Sequence, residues 1–306
     1  MKTRWLITVC VLLPLLVTAQ EIAPKARVIY LSPEWQGERY PDGRPRVADG
    51  ILQRMKNVSI EEAWALLAAE GYPCQFEGGW QMIRPDQPMV GRALTAMYMP
   101  VRADLKKLVD SAGKSEGRIG PSNSWPIDML QKGDVYVADS YGKIADGTLI
   151  GDNLGNAIYS KSGNGVVFDG SVRDLEGLED LAGFNAWVRG WHPSFIKDMT
   201  LAGINLPIRI GGATVFPGDV VLAKREGVIF IPAHLAEKVV QKAEAIMLRD
   251  QFGHQRLREG KYTPGQIDSQ WSEEIRQDFA KWLQANMDNL AVPKEAIKEI
   301  LDKRTW

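Results

Sequence analysis

The sequence predicts a layered α/β domain that is followed by a group of long helices. Short apolar segments alternate with helical segments through the centre of the chain, a pattern typical of a sheet covered by helices. After residue 232, apolar residues recur at helical spacing over long stretches instead. With 45% hydrophobic and 25% charged residues among 306, the composition is that of an ordinary globular protein.

The first 19 residues are typical of a secretory signal peptide. Lys2 and Arg4 precede an apolar run from Trp5 to Val17, and small residues continue to Ala19. The run is too short for a permanent transmembrane anchor. A retained membrane helix or a buried first helix is the alternative. The sequence therefore predicts cleavage near Ala19 and an exported protein, periplasmic or secreted, that does not bind the membrane afterwards.

Residues 20–50 form a predicted N-terminal arm, which is rich in Pro, Gly and Arg and has no clear period. The net charge of −1 gives no reason to expect nucleic acid as a partner. Cys10 would leave with the signal peptide, so Cys74 could form no internal disulfide. We expect Cys74 to be a small packed side chain, and stability to come from an apolar core.

The segment from 51 to 232 is the predicted α/β core. Ser59 begins its first helix, with a capping box that we interpret as one residue short. Two later strands share one design, in which a Gly-Asp turn precedes an apolar run. In chain order, the further predicted elements are strand 91–99, strand 133–138, helix 153–161, strand 166–168, helix 175–182, strand 186–188, strand 206–210, strand 218–223 and strand 227–232.

Residues 233–306 are predicted to be a C-terminal helical extension. Two apolar helix faces define it, and their residues are Leu235, Val239, Val240, Ala243 and Ile246 on one and Ile275, Phe279, Trp282 and Leu283 on the other. The charged faces carry mixed signs and no cluster of ligand residues. The extension is therefore expected to be an attachment or an oligomer contact rather than a functional site.

A glycine and a carboxylate stand at the start of predicted helix 153–161. Gly151 and Asp152 come directly before Asn153, so the unpaired N–H groups of the first turn can bind an anion such as a carboxylate. The alternative is that Asp152 or Asn153 only caps the helix.

Two residues of opposite charge follow the predicted strand 166–168. After Asp169-Gly170-Ser171-Val172, the chain presents Arg173 and Asp174. Arg173 can bind a carboxylate through two hydrogen bonds, and Asp174 can bind a hard cation such as Mg²⁺. The alternative is a surface ion pair in which Asp174 caps the next helix.

The spacing of these two elements carries a resemblance. Between Asp152 and Arg173 lie 20 residues, and Asp174 follows. This resembles the Asp-(20 residues)-Arg-Asp signature of the metal-dependent 4-hydroxy-4-methyl-2-oxoglutarate / 4-carboxy-4-hydroxy-2-oxoadipate aldolases, whose relatives include the regulator of ribonuclease E activity A. A short motif alone gives false positives, but other segments match the family in order. They are Gly91–Thr95, Gly133–Asp139, Arg189–Gly190, Gly211–Asp219 and Glu226–Val228.

The resemblance implies a swivelling β/β/α domain of the ribonuclease-activity-regulator type, here with added C-terminal helices, and a homotrimer or homohexamer. It implies that Asp174 ligates Mg²⁺ or Mn²⁺, and that Asp152 and Arg173 are catalytic. Asp152 would position a water on the metal as acid or base. The residues that it implies for contact with a 2-oxo-acid substrate are Gly151, Asp152, Asn153, Leu154 and Arg173.

The implied activity is retro-aldol cleavage of a 4-hydroxy-2-oxo acid with release of pyruvate. A divalent metal stabilises the pyruvate enolate as a Lewis acid, and Arg173 adds positive charge. Oxaloacetate decarboxylation forms the same enolate and is expected as a side activity. One departure is Gly177, where the family pattern has an acidic residue. Another is an insertion at residues 102–125, which is predicted to be a helix followed by a loop. Family members also use an acidic residue from a neighbouring subunit. The alternative function is a non-catalytic binding or regulatory protein on this scaffold, although that branch of the family replaces the aspartate retained here as Asp174.

Overall fold

The computed structural model describes residues 22–304 and residue 306. The predicted signal peptide, residues 1–19, lies outside the described residues, so cleavage near Ala19 and export stay predictions. Among the described residues, every helix is too short or too polar to cross a bilayer.

The helices of the described chain include three, the first, second and fifth, that the sequence did not predict. In order they are α1 (Lys25–Tyr30), α2 (Asp49–Met55), α3 (Ile60–Ala69), α4 (Ala103–Ser115), α5 (Trp125–Asp128), α6 (Asp152–Ser162), α7 (Leu175–Glu179), α8 (Ala236–Arg258), α9 (Pro264–Ile267), α10 (Glu273–Asn286) and α11 (Lys294–Lys303). The expectation of an irregular arm is wrong at α1, where Val28 is buried. Helix α7 ends at Glu179, three residues before the predicted end.

The strands confirm the predicted order of the core and add four. In order they are β1 (Phe76–Glu77), β2 (Gln81–Met82), β3 (Met89–Pro100), β4 (Asp134–Thr148), β5 (Val166–Val172), β6 (Ala186–Trp191), β7 (Met199–Ile204), β8 (Ile208–Ile210), β9 (Ala213–Val215), β10 (Val220–Lys224) and β11 (Gly227–Ile231). Strands β1, β2, β7 and β9 were not predicted.

The main sheet has the order β1-β11-β10-β3-β4-β5-β6-β2, and β7 also pairs with β3. Strands β3, β4, β5 and β6 run parallel, and the outer pairings are antiparallel. Strands β8 and β9 form a separate hairpin. One face of the sheet packs against helices and the other against this hairpin. These layers confirm the predicted β/β/α domain.

Strands β4 and β5 end at one edge of the sheet because they are parallel neighbours. Their pairing shifts after Asp139, so that Lys143 and Thr148 are the next partners of β5. Residues 140–142 and 144–147 therefore bulge out of the ladder, with positive φ at Tyr141 and Asp146. The bulge returns the chain beside the end of β5, directly before α6 begins.

The N-terminal arm is fixed to the sheet by a buried arginine. The side chain of Arg44 is fully buried, and its Nη2 lies 2.9 Å from Oδ2 of Asp134, the first residue of β4. Its Nε lies 2.7 Å from Oδ2 of Asp42, and the Tyr40 ring lies 4.9 Å from the guanidinium carbon. The arm thus supplies the counter-charge that the buried Asp134 requires.

Two local expectations are corrected by the structure. The capping box of α3 is complete, because the Ser59 side chain accepts from the Glu62 N–H while the Glu62 carboxylate accepts from the Ser59 N–H. Glu62 is the third residue of the helix, which is the position that the motif requires. Cys74 is exposed rather than packed.

The C-terminal helices form an apolar cluster of their own around Phe252, Phe279 and Trp282. Helix α8 belongs to two clusters, because Val239 and Val240 pack with α2, α3 and the sheet, whereas Phe252 packs with α10.

Candidate functional site

Helix α6 begins at the sheet edge with its first turn uncapped by a side chain. Gly151 is the N-cap residue, and no side chain accepts a capping hydrogen bond there. Asp152 is the first helical residue, and its Oδ1 accepts from the neighbouring N–H of Asn153 at 2.7 Å. Neither Asp152 nor Asn153 is therefore the helix cap. The arrangement leaves a helix N-terminus that can bind an anion.

Arg173 and Asp174 follow β5 in an unusual backbone conformation. Asp174 has φ 57° and ψ 48°, in the left-handed region, which costs a residue other than glycine on the order of 1 kcal/mol. Asp174 is the N-cap residue of α7 but makes no side-chain capping bond. Its Oδ2 lies 3.5 Å from Nη1 of Arg173, and both side chains are partly exposed. The Asp174 carboxylate thus makes no capping hydrogen bond to α7 and remains accessible to solvent.

The start of α6 and the segment Arg173–Asp174 lie against each other. The backbone N–H of Arg173 donates to the Ile150 carbonyl at 3.1 Å. A β-carbon built on Gly151 would lie 2.2 Å from Oδ2 of Asp174 and 3.3 Å from Cγ of Arg173. The Asp174 carboxylate therefore occupies the space that any larger residue at position 151 would fill.

The departure at Gly177 has a steric reason in this chain. A β-carbon there would lie 2.8 Å from Cβ of Asp152 and 2.9 Å from its Oδ2. Asp152 therefore occupies the space beside α7, and the absence of a side chain at Gly177 makes room for it. This chain has no carboxylate at the position where the family pattern places one, and the Asp152 side chain lies there instead.

A small cavity of about 90 Å³ lies between the start of α6 and Arg173, and Asp174 is not among the residues that line it. All the residues predicted to contact substrate line it, namely Gly151, Asp152, Asn153, Leu154 and Arg173. Sequence reasoning missed Asn123, Phe195 and Ile196, which also line it. Asn123 comes from the insertion at residues 102–125, and its Nδ2 donates to the Leu149 carbonyl at 2.7 Å. The insertion itself was noticed in the sequence, but nothing marked the one residue that enters the cavity.

The donor set around Asp174 fits one type of metal site. In the described part of the chain, no group of three or more His, Cys, Asp or Glu residues could enclose a metal ion. A single carboxylate suits Mg²⁺ or Mn²⁺, which keep several waters and take oxygen ligands from substrate. Asp174 fits this requirement, because its carboxylate makes no capping hydrogen bond to α7 and lies in the space left by Gly151.

Sequence comparisons relate the chain to proteins with two kinds of names. DlpA of Legionella pneumophila is 29% identical over 205 residues, which cover 66% of this chain and 30% of DlpA. A Halalkalibacterium halodurans protein is 33% identical over 112 residues, covering 37% of this chain and 52% of that protein. It carries the provisional name 4-hydroxy-4-methyl-2-oxoglutarate aldolase. The chain thus spans about a third of the length of the first relative and about half of the second.

Solved structures share the fold. RraAS2 of Streptomyces coelicolor, described as an unusual member of the RNase ES inhibitor RraA family, aligns with a TM-score of 0.59 and 25% identity. The alignment covers 69% of this chain and all of RraAS2. An uncharacterised Pseudomonas syringae protein aligns with a TM-score of 0.61 and 23% identity, covering 76% and 99% of the two chains. The RraA-like family model, Aldolase/RraA, matches residues 65–230, more than half of the sequence. This chain belongs to the RraA-like family.

Proposed function

We propose that this protein is a divalent-metal-dependent lyase that cleaves 4-hydroxy-2-oxo acids and releases pyruvate. The observation that carries the proposal is the position of Asp174. Its backbone is left-handed, its side chain makes no capping hydrogen bond, and its carboxylate lies beside Arg173 and Gly151. A carboxylate used only for structure would be expected to cap α7. The provisional aldolase name of one relative supports the same activity.

The residues of the site divide the work of the reaction. Asp174 would hold Mg²⁺ or Mn²⁺, which when bound supplies Lewis-acid stabilisation of the negative charge on the pyruvyl fragment. Arg173 binds the carboxylate or keto oxygen of the substrate, and the first N–H groups of α6 bind the carboxylate. Both interactions hold the substrate in one orientation.

Asp152 is the proposed proton acceptor of the reaction. It takes the proton of the C4 hydroxyl group, through a water, as the C3–C4 bond breaks. The electron pair of that bond passes to C3, and C4 becomes a carbonyl carbon. Asp152 then returns that proton through the water to C3, which completes pyruvate. Decarboxylation of oxaloacetate leaves the same three-carbon fragment and is proposed as a side activity.

The size of the cavity limits how the substrate binds. Its 90 Å³ is below the roughly 300–1,000 Å³ of a typical small-molecule site. The pyruvyl end of the substrate therefore lies beside Arg173, and the substituents of C4 extend outwards over Phe195 and Ile196. The Phe195 side chain is 68% exposed and can form an apolar wall for them.

The experiment that tests the activity measures pyruvate release from 4-hydroxy-4-methyl-2-oxoglutarate and from oxaloacetate. We expect turnover with Mg²⁺ or Mn²⁺, loss of turnover with excess EDTA, and recovery when metal is restored. A folded protein that turns over neither acid with either metal would contradict the proposal. That result would favour the non-catalytic regulatory alternative, in keeping with the inhibitor family named for the Streptomyces relative.

Replacement of Gly151 by alanine should impair the site without unfolding the protein. The new methyl group would displace the Asp174 carboxylate, and a shift of about 1 Å in a reacting group can cost about a hundredfold in rate. We expect kcat/KM to fall by about that factor with the melting temperature nearly unchanged. Gly50→Ala is the matched control, because a β-carbon there has no neighbour within 4 Å. Equal activity of both variants would argue against the role given to Asp174.

The homotrimer or homohexamer that the resemblance implies is also a proposal. Light scattering of the purified protein measures its mass directly. A neighbouring subunit would be needed to supply the additional acidic residue that family members use.

A further inference from the structure

A second cavity, of about 380 Å³, lies between the N-terminal arm and the sheet. Residues Leu31–Trp35 form one wall, and the opposite wall comes from the core. Four aromatic side chains line it, namely Trp35, Tyr72, Phe216 and His234. The Tyr72 and His234 rings lie 6.0 Å apart at 60° and form a corner. The volume suits a small ligand.

The charges around this arm cavity have one sign. Glu34 and Asp219 line it, whereas none of the lining residues within 22–304 is a lysine or an arginine. Burial lowers the pKa of His234, against the opposing effect of Glu34, and so disfavours the charged imidazolium. Burial raises the pKa of Asp219 to about 7, which leaves this carboxyl group partly ionised there. The cavity therefore has no counter-charge for an anion.

The hydrogen-bond donors of the walls are already used inside the protein. The indole N–H of Trp35 donates to the Glu38 carbonyl at 2.8 Å. The Gln75 side-chain amide donates to the carbonyls of Thr214 and Phe230 at 3.2 and 2.7 Å. Oδ2 of the buried Asp219 accepts from the Phe216 N–H at 2.7 Å. The walls therefore offer a ligand aromatic faces and the carboxylate of Glu34.

The arm wall is held in a fixed position by Arg39. Its guanidinium donates to the carbonyls of Ser32 at 2.8 Å, Trp35 at 3.2 Å and Gly43 at 2.9 Å, and to the Ser32 hydroxyl at 2.7 Å. Arg39 does not line the cavity. The aromatic wall is thus organised before any ligand binds, which lowers the entropic cost of binding.

We propose that this arm cavity binds a small organic cation of the alkylammonium class. Aromatic faces attract such cations through the negative charge of the π system, most strongly at tryptophan, and nearby carboxylates add to the attraction. Aromatic side chains beside the Glu34 carboxylate, with no lysine or arginine among the lining residues, are the arrangement that this recognition requires. The site is separate from the Asp152–Arg173–Asp174 site and does not depend on the proposed lyase activity.

Isothermal titration of the purified protein with choline chloride tests the proposal. The neutral isostere 3,3-dimethylbutan-1-ol has the same shape without the charge and serves as the comparison. We expect saturable binding of choline and no comparable binding of the isostere. Equal affinity for the two compounds would mean that the positive charge contributes nothing to binding, and would overturn the proposal. The absence of saturable binding of choline would also overturn it.

Variants locate the binding. Trp35→Leu should raise the Kd of choline about tenfold, which corresponds to the loss of a partly desolvated cation–π contact. Glu34→Gln preserves the shape of the arm and should raise the Kd about threefold. Trp64→Leu, at an exposed position of α3, is the matched control, and Asp174→Asn should also bind normally. Unchanged affinity in both arm variants, with native melting temperatures, would overturn the assignment.

Discussion

Replacement of Asp174 by asparagine, or of Arg173 by alanine, is expected to reduce kcat/KM for 4-hydroxy-4-methyl-2-oxoglutarate by about 10²–10³-fold. The asparagine variant removes the charge that would hold the divalent metal while it preserves the size of the side chain. The alanine variant removes the positive charge beside the developing negative charge of the pyruvyl fragment. Steady-state pyruvate release, measured at saturating Mg²⁺, gives both values.

A second Arg–Asp pair on the surface provides the control. Arg225 Nη1 lies 3.7 Å from Oδ1 of Asp86, and their side chains are 75% and 85% exposed. Arg225→Ala and Asp86→Asn make the same chemical changes away from the cavity and should leave activity unchanged. If Asp174→Asn retained full activity at the Mg²⁺ concentration that saturates the unmodified protein, the proposed metal site would be wrong.

Replacement of Arg44 by methionine is expected to lower the free energy of unfolding by about 3–5 kcal/mol. The change leaves the Asp134 carboxylate, which is fully buried, without the guanidinium that lies 2.9 Å from it. It also removes the contact of the guanidinium with the Tyr40 ring. Urea unfolding followed by circular dichroism measures the loss.

The matched control for this change lies two residues further along the arm. Arg46 Nη1 lies 2.5 Å from Oε2 of Glu38, but the two side chains are 44% and 75% exposed. Because water screens an exposed pair, Arg46→Met should lower the free energy of unfolding far less than Arg44→Met. A similar loss in Arg44→Met and Arg46→Met would mean that the arm contributes little through its buried charge.

Much of the core could be predicted because its strands are short, apolar and separated by turns. The runs at 133–138 and 166–168 lie in β4 and β5, and helix 153–161 is α6 within one residue at each end. The chain gave no comparable signal for β7, which is an added partner of β3. Pairing between distant segments decides such strands, and local sequence does not record it.

The candidate site could be predicted only in part. Gly151, Asp152 and Arg173 meet as expected because two parallel strands end at one edge. The left-handed backbone of Asp174 could not be predicted, because the surrounding structure imposes it against the preference of the residue. The contact between Gly177 and Asp152 depends on how α7 packs on α6, which the spacing of residues does not reveal.

Helix α8 has a consequence for how the protein loses its structure. Its N-terminal half is anchored at the sheet, where Glu244 accepts two hydrogen bonds from Arg54 of α2 at 2.6 and 2.8 Å. Its C-terminal half supplies Phe252 to the helical cluster. Unfolding of the helical extension would also unfold part of α8, which packs against the sheet. Heat should therefore disrupt both regions in a single cooperative transition.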